Sequence, residues 1–177
     1  MSSTVSQAAA ISLAVLAKRL EAITGEMGDV LTRTTSSPLF QADDAGALFF
    51  SPVITDWAPL EARGIDIVID LEGGVDHGIP AVPNHVLYVY YPIYDEGLPN
   101  LAKLNAIADM GAGLIRSGHH VLSHCGMGFN RSALVAGLIL VRLGLPGPVA
   151  VDRLRGRRPG ALFNEVFAAH LSSQGQE

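Results

Sequence analysis

Strand-length apolar runs alternate with longer segments of helical character through most of the chain. Four runs have the length and composition of strands: residues 47–50, 65–71, 86–91 and 120–123. Five segments have the spacing or the boundary residues of helices: residues 57–63, 98–116, 130–143, 146–154 and 159–171. Because parallel strands need crossover connections, this alternation predicts an α/β fold with a mostly parallel central sheet flanked by helices.

The first 45 residues form a predicted extension ahead of this alternation. Residues 7–23 have the periodicity of an amphipathic helix, and residues 31–46 are rich in Thr, Ser, Asp and Gly, which predicts a loop. Residues 8–17 are apolar, but no basic residue precedes them and a basic pair follows. They are therefore typical of neither a signal peptide nor a transmembrane segment. We expect an extension, 1–45, whose helix lies on the surface or joins two copies of the chain, and a folded domain, 46–177.

Composition narrows the classes of function. The chain has 177 residues, 49% of them hydrophobic and 16% charged, and a net charge of −5. An acidic chain is a poor candidate for binding nucleic acid by bulk electrostatics. The single cysteine excludes an internal disulfide and is typical of a reducing compartment, which predicts a cytoplasmic protein.

Chemistry concentrates in residues 124–132, which read His-Cys-Gly-Met-Gly-Phe-Asn-Arg-Ser. An apolar strand leads into this segment and an apolar helix leads out, so the segment predicts a tight loop with a thiol at its start and a guanidinium at its end. Backbone N–H groups of such a loop form a nest for an anion, and the helix N-terminus adds to it. The same positive surroundings favour thiolate over thiol at Cys125. Predicted phosphate-binding residues are Gly126, Met127, Gly128, Phe129, Asn130 and Arg131.

The segment resembles the HCxxGxxR[ST] signature of the cysteine-dependent protein phosphatases, and residues 46–172 resemble their dual-specificity branch. The resemblance implies a phosphatase catalytic domain in which Cys125 attacks phosphorus, Arg131 holds the phosphate and Ser132 assists departure of the sulfur. It implies that His124 orders the loop, and it requires no cofactor. Arsenate reductases share the Cys-x5-Arg spacing, but they use a resolving cysteine that this chain lacks.

A phosphate ester needs a general acid to protonate its leaving group, and this acid should lie on a second loop. In the dual-specificity branch an Asp supplies it from a P-I-x-D loop. The matching residues here are Pro92, Ile93, Tyr94 and Asp95, so the resemblance implies that Asp95 is the acid. Its neighbour Glu96 is the alternative.

The substrate remains open between several phosphate compounds. The loop interior, residues 126–130, carries no Lys, Arg or His, and the lipid-phosphatase branch usually has lysines there. We therefore favour proteins that carry phosphotyrosine, phosphoserine or phosphothreonine as the substrates. Inositol phosphates, phosphoinositides and other small phosphate esters are the alternative. A phosphate-binding module without turnover is the alternative from another class.

Several charged groups have no assigned role. Glu72 or Asp76 borders the pocket in one interpretation, where it would repel highly anionic substrates. The basic residues Arg153, Arg155, Arg157 and Arg158 form either a solvated helix end or a docking patch for an acidic partner. His119 and His120 lack the carboxylate spacing of a metal site, so no metal is expected.

Overall fold

The computed structural model describes residues 37–175. The predicted helix over residues 7–23, with its proposed surface or dimer role, lies outside this range. The described part contains five strands: β1 (Phe40–Gln41), β2 (Leu48–Ser51), β3 (Ile65–Asp70), β4 (Leu87–Tyr90) and β5 (His120–His124). It also contains five helices: α1 (Ala58–Glu61), α2 (Leu101–Arg116), α3 (Arg131–Arg142), α4 (Gly147–Arg157) and α5 (Glu165–Ser172).

The five strands form one sheet in the order β1-β2-β5-β3-β4. Only β1 runs antiparallel to its neighbour, whereas β2, β5, β3 and β4 pair in parallel. The prediction of a mostly parallel α/β sheet is therefore confirmed, with β3 in an interior position. The register sets Ser51 and Asp70 on either side of His124 at the carboxyl ends of β2, β3 and β5. Ligands bind at this edge of parallel sheets.

Alternate residues of each strand enter two separate cores. On one face, Phe50, Ile69 and Val121 pack with helices α2 to α5. On the other face, Phe49, Val68 and Leu122 form a smaller core with Leu60 of α1. Helix α3 is the most enclosed helix, because every residue from Ser132 to Leu140 is buried. No helix between residues 37 and 175 is long and apolar enough to cross a membrane.

The structure differs from the predicted boundaries at a short first strand and at helix ends that side chains cap. The predicted loop 31–46 contains the short strand β1, which also lies inside the segment assigned to the extension. The last helix begins at Glu165 and not at residue 159, because Asn164 caps it by accepting from the amides of Val166 and Phe167. Asn100 caps α2 in the same way through the amide of Lys103.

Candidate active site

Cys125 begins a loop that leaves the end of β5 and is held by the strands on both sides. Its amide donates to the carbonyl of Ser51 at 3.3 Å, and the carbonyl of Gly126 accepts from Val53 at 3.3 Å. On the other side, Leu71 donates to the carbonyl of His124 at 3.0 Å. The side chain of Cys125 is only 2% exposed. The loop is therefore anchored before it turns into α3, as the sequence predicts.

The sulfur of Cys125 lies among hydrogen-bond donors. The amide of Gly128 donates to Sγ at 3.2 Å, and the hydroxyl of Ser132 lies 3.5 Å from Sγ. Gly128 adopts a φ of 70°, and a Cβ there would lie 2.3 Å from the nitrogen of Pro52. Only glycine allows this amide to turn towards the sulfur.

The guanidinium of Arg131 is fixed at the mouth of the loop. Its Nη1 donates to the carbonyls of Leu71 and Ile93 at 3.1 and 3.2 Å. Its Nη2 donates to Glu72 Oε2 at 2.7 Å. Its Nε is buried and has no hydrogen-bond partner within residues 37–175. Arg131 is therefore oriented by its neighbours, which take three of its five N–H groups and leave two.

Asp95 lies beside the loop, where two asparagines hold its carboxylate. Asn130 donates to Oδ2 at 2.9 Å, and Asn164 donates to Oδ1 at 3.0 Å. The two asparagines also contact each other, because the backbone N–H of Asn164 donates to Asn130 Oδ1 at 3.0 Å. Glu96 contributes only its backbone carbonyl, which accepts from Asn164 at 3.0 Å. The geometry thus brings Asp95, and not the carboxylate of Glu96, into the hydrogen-bond network of the loop.

The sequence did not reveal these two asparagines as supports of the acid. Asn130 was predicted only as a phosphate-binding residue, and Asn164 lay inside the predicted helix 159–171. The side chain of Asn130 is 1% exposed, so its amide depends on these protein partners. A polar residue placed immediately before Arg131 was the available signal, but the sequence alone does not show which loop it reaches.

Glu72 borders the site, in agreement with the sequence interpretation in which Glu72 or Asp76 borders the pocket. Its carboxylate accepts from Arg131, and a Cβ added at Gly126 would lie 2.4 Å from Oε2. Partial burial acts to raise the pKa of Glu72, but hydrogen bonds from the amide of Gly73, from Arg131 and from the amide of Gly126 outweigh it. The pKa therefore lies below its ordinary value. Glu72 is an anion bound to the same loop that is built for anions.

A buried polar cluster lies behind the nucleophile and contacts His124. The ring Nε2 of His124 lies 2.8 Å from Asp76 Oδ2 and 3.6 Å from Asp70 Oδ1. The 2.8 Å contact falls outside hydrogen-bond geometry, so we treat it as an electrostatic contact. Tyr88 donates to Asp70 Oδ2 at 2.5 Å and lies 3.0 Å from Asp76 Oδ2. Burial and the bond to Asp70 raise the pKa of Tyr88, so its hydroxyl keeps its proton.

This cluster has the donor types of a metal site, although no sequence spacing indicated one. Ligand atoms of Asp70, Asp76 and His124 all lie within 4.8 Å of one another. Two strands and a loop bring them together, which explains why a linear motif did not show it. Asp70 and Asp76 contact the ring of His124, and Tyr88 contacts both carboxylates. We assign this cluster the role of supporting the His124 ring. The histidine pair is engaged elsewhere, His119 with Asp66 and His120 with the carbonyl of Arg63.

The four clustered arginines bind within the fold. Arg153 and Arg157 each form an ion pair with Asp44, at 3.0 and 2.9 Å. Arg155 donates to the carbonyl of Leu162 at 3.0 Å. Arg153 and Arg157 are therefore ion-paired and Arg155 is hydrogen-bonded, while Arg155 and Arg157 are exposed at the surface.

The fourth of these arginines, Arg158, supports the anion-binding loop from behind. It donates to the carbonyl of Gly128 at 2.8 Å, and its guanidinium lies 3.6 Å from the ring centre of Phe129 and 4.5 Å from that of Phe40. Burial lowers the pKa of Arg158, and its interaction with Cys125 acts in the opposite direction. Arg158 therefore adds positive charge near the sulfur. It also binds the carbonyl of Gly128, the residue whose amide donates to the sulfur.

Comparisons with known proteins agree with this architecture. No family model and no curated protein matches the chain. Among solved structures, a single-residue variant of human DUSP28 matches at 25% identity over 76% of this chain and 91% of its own, with a TM-score of 0.64. Tk-PTP in its active form matches at 26% identity over 76% and 95%, with a TM-score of 0.59. A mouse putative dual specificity phosphatase complexed with zinc tungstate matches at 25% identity over 76% and 84%, with a TM-score of 0.64.

These matches share the fold that the sequence resemblance implied. Their names describe dual-specificity and tyrosine phosphatases. In this chain a buried thiol, an oriented guanidinium and a loop of backbone donors meet at the carboxyl edge of that sheet. The chain is therefore a cysteine-dependent phosphatase of the dual-specificity type.

Proposed function

We propose that this phosphatase removes phosphate from phosphotyrosine, phosphoserine and phosphothreonine in proteins through a phosphocysteine intermediate. In the first step the thiolate of Cys125 attacks phosphorus in line, and the bond to the leaving oxygen breaks. Asp95 donates the proton that this oxygen needs, while Arg131 and the loop amides hold the other phosphate oxygens. The surroundings of the cysteine carry this proposal: the Gly128 amide donates to Sγ at 3.2 Å, and Arg131 Nη2 would lie 3.5 Å from a Cβ at Gly126, the next residue.

The second step releases phosphate and restores the enzyme. Asp95, now a carboxylate, accepts a proton from a water molecule that attacks phosphorus, and the sulfur–phosphorus bond breaks. The hydroxyl of Ser132, 3.5 Å from Sγ, is placed to donate to the departing thiolate. The two asparagines keep Asp95 in position for both proton transfers. Each step uses charges that the chain itself supplies, so no metal or cofactor is part of the proposal.

The surroundings of the loop favour a protein substrate. Apolar and aromatic side chains are exposed around it: Met127 is 66% exposed, Phe163 59% and Tyr94 85%. Tyr94 also lines a cavity of about 270 Å³ together with Glu72 and Arg131. Exposed aromatic groups suit a peptide and its phosphorylated side chain. The carboxylate of Glu72 repels a polyanionic inositol phosphate.

The single cysteine is typical of a reducing compartment, so we propose that the enzyme acts in the cytoplasm.

A substrate panel tests the proposal. Purified protein is offered phosphotyrosine, phosphoserine and phosphothreonine peptides, inositol phosphates and phosphoinositides, and released phosphate is measured. We expect kcat/KM to be highest on the peptides. A clear preference for inositol phosphates or phosphoinositides would contradict the substrate class but not the chemistry. Binding of phosphopeptides without release of phosphate would identify a non-catalytic module.

A further inference from the structure

We propose that Glu72 is an internal anion that competes with the substrate phosphate for the donors of the 125–131 loop. In this role it lowers the affinity of the site for phosphate and selects against substrates with additional negative charge beside the phosphate. The inference rests on the proposed function, because it assumes that the loop binds the phosphate of the substrate.

The carboxylate of Glu72 already uses donors that a phosphate requires. Oε2 lies 2.7 Å from Arg131 Nη2, and the backbone amide of Gly126 acts to lower the pKa of the carboxylate. A guanidinium together with a backbone N–H of an anion nest is the donor set that recognises phosphate. Glycine at position 126 is what admits the carboxylate, because a Cβ there would lie 2.4 Å from Oε2. Glu72 thus takes part of the place of a ligand anion.

The arrangement of Arg131 makes this competition direct. Its Nη1 is committed to the carbonyls of Leu71 and Ile93, which leaves Nε and Nη2 for a bidentate contact. Nε has no partner within residues 37–175, but Nη2 is bound to Glu72. A phosphate that takes the guanidinium with two oxygens must therefore share Nη2 with the carboxylate or displace it. Either event brings like charges together or breaks an ion pair.

Glu72 also has room to leave. Its side chain is 32% exposed, and it is followed by Gly73 and Gly74, whose surroundings are open. A carboxylate that moves outward is hydrated by water. A simple phosphate monoester can therefore displace Glu72 at a limited cost in free energy. A substrate with a second phosphate nearby meets the displaced carboxylate again as a repulsive charge. Selectivity against polyanions follows from this geometry.

Another role for the same contact predicts the opposite result. If Glu72 only orients Arg131, neutralising Glu72 weakens anion binding or lowers kcat. If it competes, neutralising it strengthens anion binding. Glu72→Gln keeps the size of the side chain and removes its charge. Glu72→Ala empties the position and serves as a second variant. Glu96→Gln is the matched control, because Glu96 is an exposed carboxylate on the neighbouring loop that uses only its backbone carbonyl in the site.

The experiment is calorimetric titration of sulfate into the full-length wild type and these variants, with KM for an aryl phosphate measured in parallel. We expect Glu72→Gln and Glu72→Ala to bind sulfate about tenfold more tightly than wild type, which corresponds to ~1.4 kcal/mol. KM should fall by a similar factor, and kcat should change little. Glu96→Gln should stay within about twofold of wild type. Glu72→Gln should also gain more on an inositol polyphosphate than on the aryl phosphate.

Each remaining outcome decides against a specific statement. Equal or weaker sulfate binding by both Glu72 variants, with wild-type binding intact, overturns the competition and leaves the phosphatase assignment standing. Failure of every protein to bind sulfate and to turn over the aryl phosphate overturns the proposed function together with this inference. An equal gain in Glu96→Gln would show that net charge, and not the position of Glu72, controls binding.

Discussion

Two carboxylates flank the same loop and are held by different groups. Glu72 follows β3 and Asp95 follows β4, so both come from the carboxyl ends of neighbouring parallel strands. Asp95 is held by the neutral side-chain amides of Asn130 and Asn164. Glu72 is held by the cationic Arg131 and lies close to Gly126. The same chemical group is therefore placed for proton transfer on one side and for anion competition on the other.

We propose that the different partners of the two carboxylates give them different roles. Neutral donors fix Asp95 without occupying the groups that bind phosphate. Arg131, which donates to Glu72, is one of the groups that we propose bind phosphate. Neutralising Asp95 should therefore slow the reaction, whereas neutralising Glu72 should tighten anion binding. The following tests are arranged by the size of the expected effect.

The largest effect should come from Asp95→Asn. General acid catalysis contributes about 10²–10⁴-fold, and its share grows as the leaving group becomes poorer. We expect a loss of kcat/KM that approaches this range on a phosphoserine peptide and is smaller on an activated nitrophenyl ester. The alkaline limb of the pH profile of kcat/KM should flatten as well.

Glu96→Gln is the control for this variant and should change little. If Glu96→Gln reproduces the loss and Asp95→Asn does not, the wrong neighbour has been assigned as the acid. If neither variant loses activity, the contrast between the two sides of the loop disappears, and Glu72 and Asp76 are the next carboxylates to test.

A smaller effect should come from loosening Asp95 without removing it. Asn164→Ser retains an oxygen that can cap α5 but removes the amide that donates to Asp95. One hydrogen bond contributes about 0.5–1.5 kcal/mol, so kcat/KM on a phosphoserine peptide should fall by up to about tenfold. The fall on the activated nitrophenyl ester should be smaller.

Asn100→Ser makes the same change at the cap of α2 and serves as the matched control. It should leave both substrates unaffected. Equal losses on both substrates in Asn164→Ser would indicate that Asn164 supports the fold and does not position the acid.

A still smaller effect concerns stability in acid. The pKa of Glu72 is lowered in the folded protein, so the folded state binds fewer protons than the unfolded state near the ordinary value of 4.5. The Glu72–Arg131 contact thus adds stability above that pH and loses it as pH falls through the lowered pKa. The carboxylate is partly exposed, so we expect less than about 1 kcal/mol. Urea unfolding of wild type and Glu72→Gln at pH 7 and below pH 4 measures it; an unchanged difference between the two proteins would contradict the assignment.

Chelation should have no effect at all. Arg131 and the loop amides provide the charge that the proposed mechanism needs. Activity of the purified protein in EDTA should therefore equal its activity without EDTA. A loss that returns on addition of a divalent ion would identify the Asp70, Asp76 and His124 cluster as a functional metal site.

The fold and the centre of the site could be predicted because their signals are local. The alternation of strands and helices indicates the parallel sheet, and the segment around Cys125 carries thiol, glycine and arginine within nine residues. The starts of α2 and α5 also have a local signal, because Asn100 and Asn164 are typical N-cap residues. The start of α5 was misplaced because Pro159 suggested a first helical turn, whereas Leu162 has a φ of 56° and Asn164 caps the helix.

The supporting contacts could not be predicted because they join distant parts of the chain. Asn130 reaches Asp95, and Arg158 reaches the carbonyl of Gly128. His124 meets carboxylates from β3 and from the loop after it. Each contact depends on strand order and on loop path, which the apolar pattern does not specify. The sequence therefore predicts the reacting groups better than the groups that position them.

The most direct test of the account is a search for the phosphocysteine. Wild-type protein is mixed with an aryl phosphate, quenched within the first turnovers and analysed by peptide mass spectrometry, alongside Cys125→Ser. We expect a phosphoryl group on Cys125 in the wild type, and a loss of turnover of at least ~10³-fold in Cys125→Ser with sulfate binding retained. Turnover within about tenfold of wild type in that variant, or a phosphoryl group only on another residue, would contradict the covalent role of Cys125.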